Sequence, residues 1–135
     1  MQRMPLWTAL SFALFLATLP AAAHHSFSME FDINKPVTLR GVVTKVDWIN
    51  PHAWVHIDVK GDDGQVAKWE IELGTPNTLF RRGVTKTSLA AGTEVVVNGY
   101  LARNGAKRAN GTTVTLSNGE KLSLGGLGEA EAPGR

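Results

Sequence analysis

The chain contains no cysteine. Disulfides, thiolate metal sites and lipid attachment at a cysteine are therefore excluded, and any exported form must be held by its core alone. Long apolar runs are nearly absent too. Leu6 to Leu19 is interrupted only by Thr8, Ser11 and Thr18, and even this run falls short of the ~20 residues that a membrane-crossing helix needs. No later stretch approaches it, so no membrane span is expected once that segment is removed. Charge of one sign is scarce: 14 Lys and Arg face 12 Asp and Glu, for a net +2. The only basic pairs are Arg81-Arg82 and Lys107-Arg108, with Arg103 nearby. A nucleic-acid surface needs a denser stripe of cations, so no nucleic-acid partner is expected. Catalytic signatures are missing as well. The serines lack a nucleophile context, and there is no phosphate loop or dinucleotide fingerprint.

What is present begins with a leader. Arg3 precedes the apolar run, Pro20 ends it, and Ala21-Ala22-Ala23 supplies small residues where signal peptidase cuts. Residues 1–23 are thus expected to be a cleaved signal helix and the product to be periplasmic or secreted. Cleavage after Ala23 would leave His24 first and His25 second. A terminal histidine offers both an amine and an imidazole to a metal ion. A cut one residue earlier would place His24 second and His25 third behind Ala23, an arrangement that also takes copper(II) through backbone nitrogens.

The rest of the chain is strand-like. Residues 24–35 carry Phe27, Met29 and Phe31 with little periodicity, and are expected to form an arm. From Pro36 a long strand pattern runs to Trp48, and its apolar parity shifts after Val43, which implies a bulge. Asn50-Pro51 signals a turn. A second strand sets Ala53, Val55, Ile57 and Val59 against His52, Trp54, His56 and Asp58 in period-two alternation. Gly61-Asp62-Asp63-Gly64 turns it into a third strand, with Trp69, Ile71 and Leu73 inward and Lys68, Glu70 and Glu72 in solvent. Thr75-Pro76 reads as the cap and first residue of a short helix that stops at Gly83. Two or three strands follow, with Asn104-Gly105 and Asn110-Gly111 read as turns around a basic loop. The tail from Gly125 is Gly-, Ala- and Glu-rich and is expected to be disordered.

Three amphipathic strands, a helix, then two or three strands leave one sheet face to cover. Closing the sheet answers that need and removes the edges. The expected fold is mainly β: a five- to six-stranded Greek-key barrel over residues 36–124, of the oligonucleotide/oligosaccharide-binding type, with its helix between strands three and four. A small open sandwich is the alternative.

Two groups of residues stand out. Trp48, Asn50, His52 and Trp54 gather around one turn, as a ligand- or partner-binding surface would. The opposing reading has Phe27 or Phe31 covering Trp54 as a second small core. His24, His25, His52 and His56 form a candidate copper set. His52 and His56 lie ~13 Å apart along an ideal strand, so only one of them can share an ion with the arm. No catalytic residue is expected.

His24-His25-Ser26-Phe27, Phe31-Asp32, Lys35 to Gly41, Trp48 to Trp54, Leu89 to Gly92 and Val95, Val97, Gly99 and Tyr100 resemble the bacterial exported proteins of domain-of-unknown-function family 6152. The resemblance implies export and a shared fold over about His24 to Leu124. It transfers no activity. The function expected is a non-enzymatic periplasmic binding or accessory module for a small ligand or protein partner. The alternative is a copper protein, carrier or histidine-brace-like, that uses His24.

Overall fold

The structure is a computed structural model and describes residues 27–126. The expected signal helix, His24, His25 and all of the tail beyond Gly126 lie outside the described residues. A one-turn helix α1 at residues 27–30 opens the described chain. The elements that follow are β1 (Phe31–Asp47), β2 (Trp54–Lys60), β3 (Val66–Glu72), α2 (Pro76–Arg81), β4 (Glu94–Ala102), β5 (Arg108–Leu116) and β6 (Lys121–Ser123). The fold is mainly β, and no helix among the described residues is long and apolar enough to cross a membrane.

All six strands belong to one sheet in the order β3-β2-β1-β4-β5-β6. An added pairing of Glu70–Glu72 with Arg108–Asn110 joins β3 to β5 in parallel and closes five strands into a ring. β1 makes the ring possible because it serves two partners. Its first part pairs with β4, and its second part with β2 from Val42 to Asp47. The expected parity shift is there, between Val43 and Lys45. At the crossover a Cβ on Gly41 would stand 2.6 Å from the Asp58 carbonyl oxygen, so only glycine admits this approach. β1 starts before Pro36, at Phe31, after a second irregularity between Phe31 and Pro36.

The ring encloses the apolar parity of each strand. Val43, Val55, Ile57, Ile71, Val97 and Val114 are all almost wholly buried there. α2 packs Leu79 onto this core, with Thr75 accepting from the Thr78 amide as N-cap and Pro76 at its start. A separate, smaller core forms from Phe27, Phe31 and Ala102, with Ile33 and Tyr100 against it.

The structure corrects two local expectations. Asn110-Gly111 is not a turn. It lies within β5, where Asn110 is fully buried. The turn between β4 and β5 is confined to residues 103–107. Glu72 does not sit in solvent either. It is 4% exposed, because β5 lies alongside β3 and covers it.

Candidate functional site

The outward parity of three adjacent strands builds the site. Trp54 on β2 pairs across to Glu72 on β3, and Glu72 to Asn110 on β5. The next row is His56, Glu70 and Arg108. On the far side of β2, Asp47 and Lys45 of β1 stand opposite Trp54 and His56. Polar residues thus alternate with the core because period two sends them outward, and ring closure brings β5 over them.

The first row holds a buried polar chain. His52, just before β2, places Nδ1 3.0 Å from Glu72 Oε1. The Asn110 side-chain amide donates to the same oxygen at 3.4 Å. Burial first, and then the charge of Glu30, lift the Glu72 carboxyl from 4.5 to about 7, against the opposing pull of Arg108 and Asn110. Burial lowers the His52 pKa, and Glu30 opposes that shift. The two atoms stand at ion-pair distance, and the hydrogen bond to Oε1 comes from Asn110. The His52 side chain keeps 27% of its surface exposed, whereas Glu72 keeps 6%. The imidazole is the face of this buried chain that meets solvent.

The second row is a surface network. Arg108 donates from Nη2 to Glu70 at 2.8 Å and from Nη1 to Glu30 at 3.2 Å. Its guanidinium also lies 4.9 Å from the centre of the Trp54 ring. The Arg108 bond is the main cause that holds the Glu70 carboxyl below its usual value. His56 turns the other way, with Nε2 2.8 Å from Asp47 Oδ2, and Lys45 shares that carboxylate at 3.1 Å. Hydrogen bonds from Lys45 and then His56 lower the Asp47 pKa. Beside this row a groove of about 480 Å³ runs under the 103–107 turn, lined by His56, Lys68, Trp69, Glu70, Lys107 and Arg108.

The N-terminal end of the described chain meets the same region. The Phe27 ring is 1% exposed and stands 6.1 Å from Tyr100, edge to face. Tyr100 is the β4 partner of Asn110. Arg103 fixes the preceding turn by donating to the Ser28 carbonyl at 2.7 Å.

The sequence-predicted set therefore divides. His52 and Trp54 share the site. Trp48 instead stacks on Phe80 of α2, with ring centres 5.1 Å apart, and packs against the main core. Asn50 is exposed at the turn, before the cis Asn50–Pro51 bond. Phe27 and Phe31 do form a second core, but on Tyr100 and Ala102; it is Arg108 that covers Trp54. His52 and His56 engage different carboxylates, and the described residues contain no group of three or more His, Asp or Glu set to hold a metal ion. Sequence reasoning missed Glu72, Asn110, Arg108 and Glu30. The one available signal was Trp54 itself, a large ring on a polar parity that needed a cover.

A family model described as a family of unknown function (DUF6152) matches residues 13–113. No curated protein and no solved structure matches the chain. The length of the family match makes this chain a member of that family of unknown function.

Proposed function

We propose that this chain is an exported, non-enzymatic binding module, built on a barrel of the oligonucleotide/oligosaccharide-binding type, whose binding face is the outer surface of β2, β3 and β5. The ring order β1-β2-β3-β5-β4, with α2 between β3 and β4, supports the barrel reading. The observation that carries the binding reading is the chain His52–Glu72–Asn110. Burying a carboxyl costs stability that an apolar residue at Glu72 would not incur. A cost of that kind, opening on a partly exposed imidazole near the Trp54–Arg108 pair of the same face, belongs to a recognition surface rather than to a core. The leader-like Arg3, the apolar run and Ala21-Ala22-Ala23 support export.

Two readouts test this reading. Fractionation with intact-mass analysis is expected to find the chain in the periplasm, beginning at His24; a full-length chain kept in the cytoplasm would refute export. Amide and indole NMR, with amino acids, small sugars, carboxylates and divalent cations as probes, is expected to shift the Trp54 indole and its neighbours His52, Glu72 and Arg108. A panel that leaves this face unmoved, or moves another face instead, overturns the binding reading.

A further inference from the structure

We infer that the groove under the 103–107 turn binds a small hydroxylated carboxylate, its carboxylate held by Lys68 and Lys107 and its hydroxyls by Asp58 and Glu70. This rests on the binding face proposed above and names the class of ligand that the face takes.

The groove exists because β3 and β5 run together only briefly. Their pairing ends at Glu70 and Arg108, where the Glu70 amide donates to the Lys107 carbonyl at 3.1 Å. Before that point β3 and the turn no longer pair. About 480 Å³ opens there, lined by Lys68 and Trp69 of β3, by Lys107 of the turn and by His56 and Asp58 of β2. Sites for small ligands span roughly 300–1,000 Å³. The Lys107 ammonium stands 5.6 Å from the centre of the Trp69 ring, a contact that keeps this long side chain at the groove.

The charges that line the groove do not cancel. Four cations, Lys45, Lys68, Lys107 and Arg108, face two carboxylates, Asp58 and Glu70. Arg108 is matched by Glu70 at 2.8 Å and by Glu30 at 3.2 Å, and Lys45 by Asp47 at 3.1 Å. His56 is turned to Asp47 as well. Among the described residues, no carboxylate lies within ion-pair distance of Lys68 or Lys107, and both side chains are exposed. Asp58 sits opposite Lys68 in the β2–β3 register without an ion pair. Two ammonium groups and one carboxylate are left, an excess of one positive charge. One anion completes that balance, whereas a neutral molecule or a zwitterion does not.

The acceptors decide what else the anion carries. Both Arg108 bonds to Glu70 end on Oε2, at 3.2 Å from Nε and 2.8 Å from Nη2. Glu70 Oε1 and the Asp58 carboxylate keep acceptor capacity at the groove. An ionised carboxylate accepts and cannot donate, so it calls for hydroxyl or ammonium hydrogens on its ligand. The charge balance disfavours an ammonium. Hydroxyls on a carboxylate satisfy both ends of the groove.

The experiment is a calorimetric titration of the chain as the cell produces it with galacturonate, galactose, acetate and alanine, followed by amide and indole NMR. Galacturonate is expected to bind saturably, at least about tenfold more tightly than each of the other three. It should move the Trp69 indole and the Lys68 and Lys107 amides, and added salt should weaken it. Lys68→Ala and Lys107→Ala should each cost about tenfold in affinity. Asp58→Asn should narrow the preference for galacturonate over acetate. Lys121→Ala, which removes a cation of β6 outside the groove, should leave the affinity unchanged. Galactose binding as tightly as galacturonate would overturn the anion, and acetate binding as tightly would overturn the hydroxyl contacts. Alanine binding more tightly would make the ligand a zwitterion. Unchanged affinity in both lysine variants would overturn the inference, as would the absence of galacturonate binding. Shifts at Trp54 with another probe and none at Trp69 with galacturonate would sink this ligand alone; silence from every probe would sink the binding face as well.

Discussion

At the residue scale the His52–Glu72 pair sets the pH behaviour. The Glu72 pKa is raised in the folded chain, from 4.5 to about 7, so the folded protein holds this proton more tightly than the unfolded chain does. Stability must then fall as pH rises across that window, by up to about 3 kcal/mol from this group. His52 acts in the opposite sense. Its folded pKa lies below 6.5, so its contribution is lost as pH falls below that value. Glu72→Gln keeps the side-chain size and an oxygen that can accept from Asn110, and removes only the titration. Thermal melts from pH 5 to pH 8 should therefore show the wild type losing ground to the variant as pH rises. A constant gap between the two across that range would mean that Glu72 titrates as an ordinary carboxyl. None of this was legible locally. Lys68, Glu70 and Glu72 alternate with apolar residues in the same way, and only Glu72 is covered. The covering residue, Asn110, is 38 positions away in sequence. Local periodicity carries no record of a neighbour at that distance.

At the scale of elements, strands were readable where side chains alternate and unreadable where the strand is made of small residues. β2, β3 and the cap of α2 follow the sequence closely, because Val55, Ile57 and Ile71 mark the inward parity and Thr75-Pro76 marks the helix start. The first half of β5 carries Ala109, Asn110 and Gly111, and Asn-Gly has turn chemistry on its own. The structure gives a physical reason for the glycine. A Cβ on Gly111 would stand 2.8 Å from both the Ile71 and Leu124 side chains, so this strand passes too close to the core for any side chain. Gly111→Ala should cost about 1–3 kcal/mol by overpacking, read as a lower urea midpoint with an unchanged slope. A neutral result would show that Ile71 and Leu124 can give way. That outcome would weaken the account of β5 as a strand held in by close contact with β3 and β6.

At the scale of the whole molecule, two cores lie on one closed sheet, and they need not fail together. The main core sits inside the ring, whereas Phe27, Phe31 and Ala102 form a separate cluster on which the N-terminal end of the described chain is fastened. Phe27 contributes almost nothing to the ring interior, yet it is 1% exposed and packs its ring on Phe31 at 5.7 Å and on Tyr100 at 6.1 Å. Phe27→Ala should therefore cost about 3 kcal/mol or more where that cost is read globally. The cost should be smaller if α1 simply detaches as a local unit. The second outcome is expected, because the arm returns to the sheet through β1 and the ring closes without it. Hydrogen exchange should show protection lost from residues 27–33 and retained in β2, β3 and β5.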